Sequence, residues 1–476
     1  MSTRAGHSAA QPIAAPFLKE QPVSVTRQMA AALPHLSEMA AAKGLKLHHL
    51  GAGYPHPEVS DPTRYISHKN AYFEHLANTL KPDRAEQALR DMWQAAYSYT
   101  DTLGPREPRA AFATVYGKDF GVSLDPDLLI PTVGSTGGIS HMCSLYERSG
   151  QKIAYITDAP TYAGFLSRAT LYQQAAIYSV DMDSEGPHPE QLKAQIEQAR
   201  RDGYFVAFYY TVPDGHNPGG FSFSQQRREA IMDVIRATGI LLVEDAPYTY
   251  ISYDSPDQRP QPFLAIDPDY TVHLFTASKI ALPGPRVGFL YAAGKATIAS
   301  GIERPLQQLL LTEASADILL HNPDALRGFE AFLMDENFEL RESLWPVAAE
   351  KNAVYGENRQ IMLQGFDEHL GNFPELFEWT EPGAGFFSVF TFKHPEIQTD
   401  QAFVEKLIAE YGVVTIPTFG FYPVDAKARN GKAGMDQLRL SFCFSERRGE
   451  GRRQDLQEAV LAFSNAARIE SGLVGI

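Results

Sequence analysis

Between about Pro131 and Ala292, short apolar runs alternate with longer stretches in which polar residues recur at helical spacing. Lys152-Ile-Ala-Tyr-Ile156, Tyr204-Phe-Val-Ala-Phe-Tyr-Tyr210, Gly239-Ile-Leu-Leu-Val243, Val272-His-Leu-Phe275 and Val287-Gly-Phe-Leu-Tyr291 read as buried strands. Continuous rather than alternating apolar runs are what parallel strands covered on both faces require. Between them, Ser224 to Ala237 predicts a helix with a capping serine and Ile231, Val234 and Ile235 on one stripe. The recurrence of strand, helix and strand predicts an α/β fold, its large domain a mostly parallel, doubly wound sheet. After about Glu336 the alternation weakens. A helix over roughly 336–365, strands at Gly385–Thr391, Val413–Ile416 and Gln437–Ser441, and a last helix from about Gly449 to Ala467 predict a smaller α/β C-terminal domain. The Ala-, Pro- and Ser-rich first twenty or so residues read as a loose arm. The expected division is 1–50 (arm and small-domain segment), 51–335 (large domain) and 336–476 (small domain).

Composition narrows the function classes. At 44% hydrophobic and 21% charged, the chain is neither wholly disordered, collagenous nor stapled by disulfides. Forty-two basic against 57 acidic residues leave a formal charge of −15, which repels phosphate backbones and argues against nucleic acid as a partner. An anionic ligand must then be held by a local cluster of donors. Cys143 and Cys443 lie far apart without metal-ligand spacing, so no metal site is expected and both read as buried thiols in a reducing compartment. No secretory apolar segment opens the chain, and no apolar run approaches the ~18 residues of a membrane helix. The expectation is a cytoplasmic protein that does not engage membranes.

Strand ends carry the unusual polar residues: Asp158, Asp214 to Asn217, Asp245, and Ser278-Lys279. In open α/β sheets, ligands bind just beyond the carboxyl ends of strands. A lysine in Thr276-Ala-Ser-Lys279 would enter that crevice, where desolvation and a nearby cation lower its pKa enough for imine chemistry. Arg286, in Pro283-Gly-Pro-Arg286, offers a planar fork suited to phosphate. Asp245, in Val243-Glu-Asp-Ala-Pro-Tyr248, suits a heterocyclic nitrogen that must stay protonated, and Tyr248 could return its phenol to the same pocket. Asn217, in Pro213-Asp-Gly-His-Asn-Pro-Gly-Gly220, precedes a proline that restricts it to extended backbone; the adjacent His216 reads as a packing accessory. Gly134-Ser-Thr-Gly-Gly138 puts small residues at a helix start, where backbone N–H groups meet anions. Most of these fragments read alone are more often ordinary turns or caps, and the Gly134–Gly138 turn is about as often one.

Their order is more specific. A Gly/Ser/Thr turn, the aromatic loop Pro160-Thr-Tyr-Ala-Gly164, Asn-Pro, Asp-x-x-Tyr, Ser-Lys and Arg follow one another, and over roughly residues 45–465 the chain resembles the fold type I pyridoxal-phosphate enzymes, specifically the class I/II aminotransferases. Ser278 to Arg286 and Ile416-Pro-Thr-Phe-Gly-Phe-Tyr-Pro423 resemble the valine–pyruvate group, whereas Pro-Asp-Gly-His-Asn-Pro and Glu-Asp-Ala-Pro-Tyr resemble the aminoadipate and aromatic groups. Asn217-Pro-Gly-Gly220 departs from the family's Asn-Pro-Thr-Gly at its third position, which costs a hydroxyl.

The resemblance implies pyridoxal 5'-phosphate as cofactor and Lys279 as the residue joined to its aldehyde. Asp245 would pair with the pyridinium nitrogen, Asn217 and Tyr248 would bond the phenolic oxygen, and Tyr162 would stack on the ring. Ser135, Thr136, Thr276, Ser278 and Arg286 would hold the phosphate. Tyr99, in Tyr99-Thr-Asp-Thr-Leu-Gly104, would reach the phosphate of a neighbouring subunit, making a homodimer. Gly53, in Leu50-Gly-Ala-Gly-Tyr-Pro55, and Arg439, in Gln437-Leu-Arg-Leu-Ser441, would meet the substrate carboxylate. The activity implied is transfer of an amino group from an L-amino acid to a 2-oxo acid. Tyr54, Phe386, Phe387, Phe419, Phe421 and Tyr422 fall in substrate-side segments, and no second arginine stands out for a distal carboxylate, which favours apolar or aromatic donors. A lyase or an amino-acid oxidase would use the same cradle; release of ammonia without a 2-oxo acid acceptor separates them. A ligand-sensing regulator would need a basic DNA-binding segment, and none is visible. A nucleotide-binding dehydrogenase would need G-x-G-x-x-G after its first strand, which is absent.

Overall fold

The computed structural model describes residues 23–443 and 445–476; the expected loose arm lies outside that range. The first described helix, α1 (Val25–Ala42), buries Val25, Met29, Leu36 and Ala40 along one stripe. That stripe packs on a helix of the C-terminal part of the chain, where Gln401 reaches Met29. His48–His49 then pairs in parallel with Val413–Val414.

The large sheet has eight strands: β1 (Leu129–Val133), β2 (Ile153–Ala159), β3 (Ala175–Asp183), β4 (Gly186–Pro187), β5 (Phe205–Thr211), β6 (Leu241–Asp245), β7 (Thr271–Thr276) and β8 (Val287–Ala292). Their order is β1-β8-β7-β6-β5-β2-β3-β4. β2, β3, β5, β6 and β7 run parallel, while β8 runs against both β1 and β7, and β4 against β3. The five expected strands are all present. β3 is weakly marked near the sheet edge: its apolar run over 175–178 is short and only half-buried, and Ser179, Asp181 and Asp183 interrupt the rest. Along each central strand, alternate residues enter different apolar clusters. Tyr155, Phe208, Tyr210, Val243 and Leu274 face one side, and Ile156, Tyr209 and Leu242 the other.

Short helices follow the strands. α2 (Gly134–Glu147) starts directly after β1. α3 (Gln225–Thr238) is capped by the Ser224 hydroxyl, which accepts from Arg227 N–H, and ends at Gly239 with φ +66°. α4 (Ala277–Ile280), a single turn after β7, is capped by Thr276. Asp214, expected at the ligand crevice, is instead structural: with Pro213 and Phe223 carbonyls it holds the fully buried Arg228 of α3. Removing one partner of a buried ion pair strands the other charge. Arg228→Met is therefore expected to lower unfolding free energy by about 3–5 kcal/mol, read from denaturant midpoints, and a midpoint within error of wild type would contradict this.

The smaller sheet is antiparallel, with β9 (Phe377–Trp379), β10 (Phe387–Phe392), β11 (Ile416–Pro417) and β12 (Gln437–Ser441) in the order β9-β10-β12-β11. α5 (Trp345–Leu370), α6 (Gln401–Tyr411) and α7 (Glu450–Glu470) belong with it. The helix expected over 336–365 begins only at Trp345. Upstream, Asp335 Oδ1 accepts from Asn337 and Glu339 N–H in a tight turn. The start itself is fixed from far away, by Asp119 accepting from Leu344 N–H at 2.9 Å, and Pro346 occupies the first turn.

Candidate active site

The carboxyl ends of β6 and β7 and the first turn of α2 open onto one cavity of about 580 Å³, a volume in the range of small-molecule sites. The 51–54 loop, α1, β10, β11 and β12 close its other sides. Gly53, Ser135, Thr136, Tyr162, Asn217, Asp245, Tyr248, Thr276, Ser278, Lys279, Arg286 and Arg439 all line it. Tyr99 does not; it stands 87% exposed on the surface.

Lys279 lies in the single turn after β7 and points inward, its Nζ donating to Gly53 O at 2.7 Å. Burial, with Arg439 and Arg286 adding to it, brings its ammonium pKa down to about 8. A minor part of the amine is thus uncharged already at neutral pH, the form that attacks carbonyl groups, and that part grows as pH rises toward 8.

Anion-binding donors gather beside it. Arg286 Nη1 donates to Ser278 Oγ at 3.2 Å, and Thr276 Oγ1 to the same oxygen at 2.9 Å. Arg286 Nη2 reaches Val133 O at 3.3 Å, just ahead of α2. The first N–H groups of α2 have no intrahelical acceptor, and Ser135 and Thr136 sit in that turn. Gly134 is needed here: its φ is +66°, and a Cβ would lie 2.5 Å from Arg286 Nη2.

On the opposite side, Asp245 is buried, which lifts its carboxyl pKa to about 6 against hydrogen bonding that lowers it. Tyr210 donates to its Oδ2 at 2.7 Å. Its Oδ1 has no well-formed hydrogen bond, the Ser135 hydroxyl facing the carboxyl only loosely. Tyr162 caps this region; a Cβ at Gly164 would come within 2.4 Å of its ring.

Arg439, on β12, spans the gap between the two domains. Nη1 donates to Asn217 Oδ1 at 3.1 Å and Nη2 to Gly51 O at 2.9 Å. Its guanidinium lies 4.1 Å from the centroid of Phe387. Burial lowers its pKa to about 10, so it remains a cation at neutral pH. Tyr248 meets Phe386 and Phe387 edge-on, at 5.2 and 5.8 Å, and burial raises its phenol pKa.

The other residues marked in the sequence take the following places, some as expected and some not. Of the six aromatic residues placed near the substrate, only Tyr54 and Phe387 line the cavity; Phe386 and Phe421 are core, and Phe419 and Tyr422 lie outside the lining. Asp158 is buried beneath Tyr209 and Thr211, away from the cavity. His216 stacks on Phe221 and, held neutral by burial that lowers its pKa to about 3, acts as packing. Conversely, Ser24, Thr26, Arg27, Met29, Ala30 and Leu33 of the α1 region line the cavity. Arg27 is thus an arginine at the cavity, beside Arg286 and Arg439, that linear inspection did not single out. Helical spacing marks the apolar stripe of α1, but only the docking of α1 on the small domain brings it to the site. Cys443, expected as an inert thiol, is buried with its Sγ against Ala52 O and Tyr54 O.

The sequence pattern of aminotransferase classes I and II matches residues 70–443. The chain belongs to this family. An aminotransferase in this sense is a pyridoxal-phosphate transaminase, and the α/β architecture with its large and small sheets is that of fold type I. Among similar proteins are the (S)-3,5-dihydroxyphenylglycine transaminase of Amycolatopsis orientalis, 26% identical over 83% of each chain, and the 2-aminoadipate transaminase of Thermus thermophilus, 26% identical over 77% of this chain and 82% of the other. The crystal structure of Pyrococcus horikoshii kynurenine aminotransferase superimposes with a TM-score of 0.73 over 95% of this chain and 97% of that one, at 22% identity. The cavity walls suit the family's cofactor. Ser135 Oγ, Asp245 Oδ1 and Arg439 Nε are buried polar atoms without a hydrogen-bond partner, and all three residues border the cavity. Unsatisfied buried groups are costly unless a ligand completes them.

Proposed function

We propose that this aminotransferase moves the amino group of an apolar or aromatic L-amino acid to a 2-oxo acid, using the cavity residues as follows. Bound pyridoxal phosphate supplies an aldehyde that condenses with amines and a protonated ring that withdraws electrons. Ser135, Thr136, Thr276, Ser278 and Arg286 would hold the phosphate, Tyr162 would cover the ring, and Asn217 and Tyr248 would bond its phenolic oxygen. Asp245 would face the ring nitrogen. Lys279 would hold the aldehyde and, as a free amine, would be the base that carries the substrate Cα proton. Arg439 grips the α-carboxylate beside the Gly53 backbone, fixing the Cα–H bond in the direction where its loss is easiest. The observation that carries this reading is the convergence of Lys279, Asp245, Arg286 and Arg439 on one cavity.

Met29, Leu33, Val414, Ile416 and Phe387 give the substrate end an apolar lining, which supports the donor class. A second reading rests on Arg27, exposed at the mouth of the same cavity: donors with a distal carboxylate, as the name of the 2-aminoadipate transaminase relative suggests. A donor panel with 2-oxo acid acceptors decides between them. Apolar and aromatic amino acids are expected to shift the absorbance of the purified protein most, and Arg27→Ala to leave them unchanged. Strong preference for aminoadipate or glutamate, lost in Arg27→Ala, would replace the first reading by the second.

Exposed Tyr97 and Tyr99, at 72% and 87%, support a homodimer in which Tyr99 enters the neighbour's site. Among the described residues no helix is long and apolar enough to cross a membrane, and both cysteines are unpaired and buried; these support a cytoplasmic location.

A further inference from the structure

Neighbouring residues on a strand point to opposite faces, and the fully buried pair Tyr209 and Tyr210 divides accordingly. Tyr209 donates to Asp158 Oδ1 at 2.5 Å, away from the cavity. Tyr210 lies in register with Val243 of β6 and reaches Asp245 Oδ2, two residues further along that strand, at 2.7 Å. Phe165 stacks flat on the Tyr210 ring, with centroids 4.0 Å apart and planes within 11°, so the phenol is fixed. Asp245 therefore has one oxygen bonded and the other, Oδ1, open. Nothing about Tyr210 in the sequence marks it apart from the other residues of an apolar strand.

A buried carboxylate beside a ring nitrogen shares one proton with it in two ways: carboxylate with ring cation, or carboxylic acid with neutral ring. Burial favours the uncharged pair. A hydrogen bond donated to the carboxylate favours the charged pair. The other groups near Asp245 are the loosely placed Ser135 hydroxyl from α2, His273 from β7 and the phenols of Tyr162 and Tyr248; none of them makes a formed hydrogen bond to the carboxylate. His273 is already engaged by Glu244 at 2.7 Å and by Tyr116 at 2.9 Å.

We propose that Tyr210 is a positioning residue whose hydroxyl keeps the Asp245 carboxylate charged and turned with Oδ1 toward the cofactor, so that the shared proton stays on the ring nitrogen. The proposal rests on Asp245 facing that nitrogen, as read above.

The test is the ring-nitrogen signal in ¹⁵N NMR of holoenzyme reconstituted with ring-labelled pyridoxal phosphate. In the wild type and in Tyr209→Phe, which loses an equally buried hydroxyl from the other face, the signal is expected in the protonated range. In Tyr210→Phe it is expected to move toward the neutral range, and in Asp245→Ala to reach it. If Tyr210→Phe gives no folded protein, 4-fluorophenylalanine at position 210 fills the hydroxyl's place without donating, and the same movement is expected. A signal unmoved by loss of the 210 hydroxyl, while Asp245→Ala shifts it, overturns the proposal and leaves the reading of Asp245 intact. A signal unmoved in Asp245→Ala overturns both.

Discussion

Lys279→Ala is expected to hold pyridoxal phosphate without a covalent bond and to transaminate at less than about one-thousandth of the wild-type rate, since both a nucleophile and a positioned base are lost. Borohydride reduction followed by mass spectrometry should add the cofactor to residue 279 of the wild type and to no residue of the variant. The same amine gives the pH dependence its sign. With its pKa brought down to about 8 by burial and by Arg439 and Arg286, the reactive neutral form grows as pH rises through about 8 and is complete above it. Cofactor uptake by the apo chain should accelerate over that window and level off beyond. An undiminished turnover in Lys279→Ala would remove the central residue of the proposed chemistry.

Arg439→Ala should be nearly as severe, but only for donors that carry an α-carboxylate. The guanidinium is buried, bonded to Asn217 and Gly51, and stacked on Phe387. Truncating one partner of a desolvated charged contact costs about 2–5 kcal/mol, which is about thirtyfold to a few thousandfold in kcat/KM. Arg439→Lys retains the charge but not the planar fork, so it should recover only part of the loss. A simple amine lacking the carboxylate separates recognition from collapse of the site. It should react with wild type and Arg439→Ala at similar rates, whereas an equal loss for both donor types would show that Arg439 supports the fold rather than the substrate.

Both predictions concern residues that stood out in the linear chain because their neighbours are informative. Lys279 and Asp245 each follow a continuous apolar run, and strand ends of an α/β sheet are where ligands bind. Arg286, Asn217 and Ser135 lie among glycine and proline residues that mark turns. The residues that escaped notice lack such company. Tyr210 looks like any other strand residue until its hydroxyl is found against Asp245. Arg27 belongs to a helix whose role depends on docking against the small domain. Asp158 and Asp214 show the converse: placed at strand ends like Asp245, they are held by Tyr209, Thr211 and Arg228 and do not border the cavity.

The linear chain by itself determined the fold class, five strands of the large sheet, the ordered series of polar strand ends and the family resemblance, because periodicity and turn chemistry act between residues close in sequence. Tertiary structure alone decided that β8 runs against its neighbours, that the long helix of the small domain begins at Trp345 through distant Asp119, and that Arg439 on one sheet meets Asn217 on a loop of the other. It also decided which of several similar carboxylates keeps an open oxygen toward the cavity. Those outcomes depend on which faces of separate elements meet, a property of packing in three dimensions that no local pattern encodes.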